Sequence, residues 1–525
     1  GFRMVRISGP VTAVSLSVLS GAPVSACAAD RTAYPAMMRG DTPATGNGWI
    51  IDPVFTVGER IGRYQPPGIM DGIGAFASDD EGYIRILVNH ELDRGKGYPY
   101  ELANGLRLDG ARVSYFDIHK SERSIKRAGL AFHTIHDRAG QPVSNASQLD
   151  FGGFRRLCSA RGVREGSMGF LDDIFFTGEE TDGGTQWAID VDAYRMWAVP
   201  AMGVGAWENW TPVESGGDDT VALLGGDDRG ASPLYLYLGR KGASSNGFLD
   251  RNGLMQGTLY CWKADDERMR TPADFNGLRS SASGSFMKLE NHNPEMAGKR
   301  GYDSLGYATQ DLLDKQVAAI GCFAFSRPED LHNDPHQPRR AVFASTGKDS
   351  LFNGADRWGT IYRIDTDLAE KQPAARLTIL HDADALDEPD NGIRNPDNLV
   401  WAADGFVYVQ EDRSTAGFGD ASGSEASVWR LDPDSLETVR IAEMNRLAVA
   451  PEGSTDAYPA ELGNWESSGV LDITDLFQTI ENETLLIGTV QAHSITDGEI
   501  GGDDRLVEGG QLFFMSNVPG GKPAQ

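Results

Sequence analysis

Along most of the chain, large apolar residues alternate with small or polar ones in short stretches that end in an acid or a Gly, Asp or Asn cluster. Side chains of a strand point alternately to opposite faces, so this period-two pattern predicts half-buried strands. A related stretch recurs as "ARVSYFDIHK" from Ala111, "TQWAIDVD" from Thr185, "GTLYCWKAD" from Gly257, "GTIYRIDTD" from Gly359, "ASVWRLDPD" from Ala426 and "GQLFFMSN" from Gly510. The starts lie 67 to 102 residues apart, which fits one sheet per repeat with loop insertions of unequal size. Between them stand further strand candidates such as "IRILVNH", "VALLGGDD", "AVFASTG", "GFVYVQED" and "TLLIGTVQ". Segments with helical spacing are few and short. The pattern predicts an all-β chain, a six-bladed β-propeller with loop insertions, filling residues 31–525 as a single domain. A two-domain β-sandwich protein is the alternative, and the repeat argues against it.

Composition narrows the function classes. Asp and Glu number 76 against 48 Lys and Arg, a formal charge of -28, which speaks against a nucleic-acid partner. No apolar run is long enough for a transmembrane helix. The four cysteines, Cys27, Cys158, Cys261 and Cys322, form no CxxC pair, so neither a zinc knuckle nor a dense disulfide scaffold is indicated. Residues 1–30 run from Arg3 and Arg6 through small apolar residues to "SACAAD", the form of an export signal, with an ordinary disordered N-terminus as the bland reading. "VSAC" would also pass as a bacterial lipoprotein box. The expected location is therefore outside the bacterial cytoplasm: periplasmic, lipid-anchored at the surface, or secreted.

Several strand candidates end in acids. These are "NHE" with Glu91, "FFTGEE" with Glu179 and Glu180, "AWEN" with Glu208, "GGDDRG" with Asp227 and Asp228, "RPED" with Arg327 and Glu329, "NPDN" with Asp397, "QED" with Glu411 and Asp412, and "NWESSG" with Glu466. Each alone reads more simply as a solvated turn, because Asp and Asn favour turns for local hydrogen-bonding reasons. In a propeller, however, equivalent strand ends converge on the axis, and acids gathered there repel one another unless cations intervene. Oxygen-rich sites suit hard ions such as calcium, and a thiolate such as Cys158 brings in a transition metal.

Taken in order, "FTVGERIGRYQPPGIMDGIGAF", "LVNHEL", "LCSA", "FTGEE", "AWEN", "LLGGDDRG", "GTLY", "FSRPED", "DRWGTIYRID", "NPDNLVW", "WESSGVLDI" and "VQAHS" resemble the PhoX family of secreted alkaline phosphatases, from about Phe55 to Asn517. The resemblance implies a six-bladed propeller with a pair of ferric ions and several calcium ions at its axis, hydrolysing phosphate monoesters; a monomer is expected. Carried onto this sequence, it implies metal ligation by Cys158, Glu179, Glu180, Glu208, Asp227, Glu329, Asp397, Glu466 and Glu91. Strand alternation lets one of the adjacent glutamates face the axis, and Glu179 is expected to be that one. Arg327 falls on the phosphate clamp, with Arg155 and Arg156 as candidates for a second cationic contact, and His493 lies in a matching motif without an assigned role. The sequence departs from the family in the segment "SARGVREGSMGFLDDIF" and in "VQAHS", where the better-studied members carry Gln-His-Pro.

Two other function classes stay open on sequence alone. One is another calcium-dependent propeller hydrolase, a phosphodiesterase, a phytase-like enzyme or a lactonase; the other is a calcium-stabilised propeller that only binds a partner.

Overall fold

Six strands at the centre of the structure organise everything else: Met70–Ala77, Leu157–Val163, Val204–Val213, Pro328–Asn333, Pro396–Trp401 and Glu466–Asp472. Each packs against the next, and Glu466–Asp472 packs against Met70–Ala77, so the six close into a ring. The computed structural model describes residues 31–42, 45 and 48–517; the proposed export segment and Cys27 lie outside them.

From each inner strand an antiparallel set runs outward. The first is Met70–Ala77, Tyr83–His90, Arg112–His119 and Ile125–Leu130. The second joins Leu157–Val163 to the long strand Ile174–Asp190, whose far half pairs with Arg195–Ala198. The third runs Val204–Val213, Thr220–Asp227, Leu234–Arg240, Gln256–Ala264, and the fourth Pro328–Asn333, Arg340–Ser345, Thr360–Asp367, Ala374–Asp382. Strand Ser281–Leu289 pairs with the outer strands of both and fuses their edges. The fifth set is Pro396–Trp401, Val407–Glu411, Ser427–Leu431, Thr438–Met444, extended by Met38–Arg39.

The last set is closed by the start of the chain. Trp49–Thr56 lies antiparallel to Gly509–Asn517, with Trp49 opposite Asn517. This pairing covers what would otherwise be an open sheet edge, a template for unwanted strand addition.

The chain is all-β as its alternation predicts. Among the described residues the α-helices are Phe248–Arg251 and Gln310–Ile320, the latter capped by Thr309 and ended by Gly321 at φ 83°. Five of the six recurring sequence stretches fall on the third strand-pass of a set; "GTLYCWKAD" falls on the fourth, Gln256–Ala264. Cys261 of that strand forms a disulfide with Cys322, just after the long helix.

Inner strands buried on both faces approach closely, which sets their small residues. A Cβ on Gly72 would lie 2.2 Å from the Ala160 nitrogen, and one on Gly469 would lie 2.0 Å from the Asp71 carbonyl. Only glycine lets these neighbours meet. Apolar clusters fill the space between sets, for example Trp207, Trp210 and Tyr235, whose rings meet at 4.8 and 5.2 Å from Trp207.

Candidate metal centre

In every set the ladder between the inner strand and its neighbour slips near the start. The slips lie between Met70 and Ile73, Leu157 and Ala160, Trp207 and Asn209, Pro328 and Leu331, Pro396 and Leu399, and Ser467 and Val470. Bulges of this kind bend the strand and re-aim side chains. The residues inside or beside them are Asp71, Cys158, Glu208, Glu329, Asp397 and Glu466. Glu91, Glu180 and Asp412 join them from the second strand-passes or just beyond their ends.

These nine residues form four overlapping groups: Asp71, Glu91 and Cys158; Cys158, Glu180 and Glu208; Glu208, Glu329 and Asp397; Asp397, Asp412 and Glu466. In each, one ligand atom per residue lies within 4.8 Å of the others. Shared members make the groups a continuous belt. Cys158 Sγ lies 3.2 Å from Asp71 Oδ2 and 3.3 Å from Glu208 Oε1.

Burial raises the Asp71, Glu208, Glu329, Asp397 and Glu466 carboxyls well above the carboxylate range, and neighbouring acids add to the effect. The Cys158 thiol is raised by burial and then by Asp71, Glu180 and Glu208. Burial and mutual repulsion therefore favour either protons or cations on these carboxyls. Glu208 Oε2 and Asp397 Oδ1 are buried with no hydrogen-bond partner. A wholly oxygen-donor end at Asp397, Asp412 and Glu466 and a thiol-bearing end at Cys158 fit a mixed set of hard cations and a transition metal.

Two arginines flank the belt, both with left-handed backbone, φ 59° at Arg327 and 50° at Arg156. Arg327 donates from Nε and Nη2 to Asp228, 2.9 Å each, and from Nη2 to Glu329 at 3.2 Å. Arg156 Nη2 bridges Glu91 at 2.9 Å and Glu180 at 3.0 Å. His493 sits between Glu466, 3.0 Å, and Glu508, 2.8 Å, and these carboxylates hold its imidazole well above its ordinary range.

Of the sequence candidates, Cys158, Glu180, Glu208, Glu329, Asp397, Glu466 and Glu91 come together in the belt. Three do not. Glu179, expected inward, accepts from Trp187 Nε1 at 2.9 Å and from the Arg155 amide at 3.2 Å, and burial pushes it up to about 8. It is Glu180 that faces the belt; the extra residue of the ladder slip lies in Leu157–Val163, so Glu179 and Glu180 still alternate and only the expected choice between them is reversed. Asp227 accepts from Arg229 and from the Ala206 amide, leaving Asp228 to hold Arg327. Arg155 pairs with Asp93 at 2.8 Å instead of meeting the belt.

Asp71 and Asp412 belong to the belt and were not among the sequence candidates, although Asp412 stands in "QED". Asp71 has the same signal as Asp397: an acid second in its inner strand, at the ladder slip. Gln491 is a further contributor, donating from Nε2 to Asp71 Oδ2 and Glu91 Oε2 at 3.1 Å each. A cavity of about 490 Å³ opens at the opposite ends of the inner strands, lined by Arg161, His332, Trp401 and Asp472, and contains none of the belt residues.

Residues 177–432 match the family model described as alkaline phosphatase PhoX. A search of the curated proteins gives no match. Among solved structures, Pseudomonas fluorescens PhoX in complex with vanadate, a transition state analogue, is similar with TM-score 0.61 at 16% identity, covering 94% of this chain and 98% of that one. At this identity the likeness concerns the fold. A periplasmic gluconolactonase of Pseudomonas aeruginosa gives TM-score 0.31 at 11% identity, with 87% of each chain covered. A lignostilbene dioxygenase of Pseudomonas brassicacearum gives 0.32 at 10%, covering 87% of this chain and 93% of that one.

Proposed function

We propose that this chain, whose residues 177–432 match the alkaline phosphatase PhoX family model, is a phosphatase of that kind and hydrolyses phosphate monoesters outside the bacterial cytoplasm, using Fe³⁺ and Ca²⁺ held by the acidic belt. The observation that carries this reading is the belt itself: eight carboxylates and one thiol in four linked groups, flanked by two guanidinium groups. The six inner strands support six blades in one propeller domain. The Cys261–Cys322 disulfide supports export, since disulfides persist in oxidising compartments.

Cys158, Glu180, Glu208, Asp71 and Glu91 would hold the iron end, and Glu329, Asp397, Asp412 and Glu466 the calcium end. When bound, such a cluster supplies Lewis acidity at phosphoryl oxygens, whose charge rises in the transition state. The chain's own part is to bind and orient. Arg327 keeps its guanidinium plane fixed against Asp228, and its Nη1 makes no hydrogen bond among the described residues. A fixed planar fork positions a phosphate as an ammonium does not. Arg156, also tied to belt acids, is the second cationic contact in this reading. Left-handed backbone at both residues is strain of the kind kept where a side chain must be held in place.

The test compares an aryl phosphate with the corresponding diester, with elemental analysis of the same preparation. Expected are iron and calcium in the protein, preference for the monoester, and loss of turnover on chelation. Faster diester cleavage, or turnover that survives complete metal removal, would overturn the proposal.

A further inference from the structure

The cavity at the opposite end of the ring from the belt is walled by five of the six inner strands, through Ala75, Arg161, His332, Trp401 and Leu471. Its volume, about 490 Å³, suits a small organic ligand. Arg161 is partly buried there and reaches across two further inner strands. Its Nη1 donates to Thr211 Oγ1 at 3.4 Å, its Nη2 to Asn333 Oδ1 at 2.6 Å, and its Nε to the Gly162 carbonyl at 3.2 Å. All three acceptors are neutral. Each Nη carries a second hydrogen, and neither of these meets an acceptor among the described residues. Burial pushes the guanidinium down to about 10, against the opposing pull of Asp330.

The carboxylates at this place are already engaged. Asp472 accepts from the Ala403 amide at 2.9 Å, the Thr474 amide at 3.1 Å and the Thr474 hydroxyl at 2.6 Å. Asp475 takes both ends of the Arg164 fork, at 2.8 and 3.2 Å, so that pair cancels its own charge. Asp330 makes no ion pair with Arg161 and accepts from Ser159 Oγ and the Leu331 and Leu399 amides. Arg161 is left as a partly buried charge without a counter-ion, which is costly. Beside it, His332 donates from Nδ1 to the Asn333 carbonyl at 2.8 Å, and burial followed by the Arg161 charge holds its imidazole well below its ordinary range. The ring is therefore neutral, and its Nε2 is an acceptor with no partner among the described residues.

We propose that this cavity binds a small organic oxyanion that also bears a hydroxyl, either a hydroxycarboxylate or a singly protonated phosphoryl group. Its anionic oxygens meet the spare Nη hydrogens of Arg161, its hydroxyl donates to His332 Nε2, and its apolar body lies against Trp401 and Leu471. A guanidinium suits such a group because it offers several hydrogens in one plane to paired oxygens. A neutral ligand would leave Arg161 uncompensated, and a cation would be repelled. The site needs no metal. Cys158 and Arg161 share one inner strand and Glu329 and His332 another, so belt and cavity stand at opposite ends of the same strands.

The test is made on crystals of the whole metal-loaded protein, soaked separately with para-bromomandelate, para-bromophenylphosphonate and the neutral para-bromomandelamide, with bromine located by anomalous diffraction. A bromine peak in the cavity is expected with at least one anion and none with the amide. A peak with the mandelate alone assigns a carboxylic acid, and a peak with the phosphonate alone a phosphoryl ligand. Bromine at the belt only, no bromine with either anion, or an equal cavity peak with the amide overturns the proposal. Crystals of Arg161→Met, soaked alike, should lose the cavity peak at unchanged iron and calcium content, and a retained peak also overturns it. If that variant fails to fold, the contrast between anions and amide in the unaltered protein decides alone. No readout is turnover, so the outcome is independent of the phosphatase reading.

Discussion

Asn398 donates from Nδ2 to Asp71 Oδ1 at 2.8 Å, across 327 residues of chain. The two inner strands that carry them are not ring neighbours, so the bond crosses the interior of the ring. It fixes one oxygen of Asp71 while the other faces Cys158 Sγ and Gln491 Nε2. Partners that orient a ligand in this way typically matter by about 10- to 100-fold in metal affinity or activity. Asn398→Ala should lower turnover by that order and speed iron loss to a chelator. Unchanged turnover and unchanged iron retention would show that Asp71 needs no such partner.

Glu179 and Glu180 are adjacent in sequence and opposite in environment, which allows a paired test. Glu180→Gln removes a belt donor and leaves Arg156 one carboxylate fewer, so iron content and turnover should both collapse. Glu179→Gln keeps an oxygen for only one of the Trp187 indole and the Arg155 amide, which bind different carboxylate oxygens, but it removes no belt donor, so metal content should stay at the unaltered level. Elemental analysis of the two purified variants reads the difference. The reverse result would return Glu179 to the inward role expected of it from sequence.

Cys158 is a free thiol, buried and shared by two of the four groups. Cys158→Ser keeps the shape and replaces a soft donor with a hard one. The variant should lose any visible absorption of ferric thiolate and most of its iron, while the oxygen-only end at Asp397, Asp412 and Glu466 keeps calcium. An unchanged visible spectrum would remove Cys158 from the iron end.

Arg327→Lys is the corresponding test of the clamp. Lysine cannot reproduce the two parallel bonds to Asp228 or offer a planar fork. Turnover of an aryl phosphate should fall about 100-fold or more, the scale of losing one preorganised donor at a transition-state oxygen, with iron and calcium unchanged. A rate equal to that of the unaltered protein, with metals intact, would remove Arg327 from the site.

The alternation at "GTIYRIDTD" reports a strand because one face is buried and the other is less so, and part of that contrast survives in the folded protein, whereas "GQLFFMSN" is buried on both faces. The acidic strand ends were legible for a similar reason: a carboxylate inside an apolar run is costly unless it is used. Which acid of a pair is used was not legible. Period-two reasoning assumes an unbroken ladder, and every inner strand breaks its ladder at the residue in question. At Glu179 and Glu180 the alternation itself holds, but it says only that one of the two faces inward, not which. Asp71 escaped notice because "GIMDGIGAF" offers one acid in a glycine-rich stretch, where a turn is the ordinary reading. The pairing of Cys261 with Cys322 joins residues 61 apart in sequence, which no local pattern encodes.

Arg394 joins the stability of the fold to the belt. It is fully buried, with Nε 2.9 Å and Nη2 2.7 Å from the two oxygens of Glu411, and Nη1 3.2 Å from Asp390. Its remaining hydrogens go to the carbonyls of Ser424 and Glu425, and its guanidinium lies 3.8 Å over the Phe418 ring. Glu411 immediately precedes Asp412 of the belt, so the arginine anchors the strand end that presents a belt carboxylate. Removing one partner of a buried pair leaves the other charge uncompensated, at about 3–5 kcal/mol. Arg394→Met should therefore lower the melting temperature of the metal-loaded protein by several degrees. It should also loosen calcium, because Glu411 without its partner must take up a proton or draw in water beside Asp412. Arg394→Lys restores the charge without the fork and should recover part of the stability. Thermal denaturation of the three proteins at fixed calcium, repeated over a range of calcium concentrations, separates the two effects. If Arg394→Met melts with the unaltered protein at every concentration, the buried pair contributes to neither.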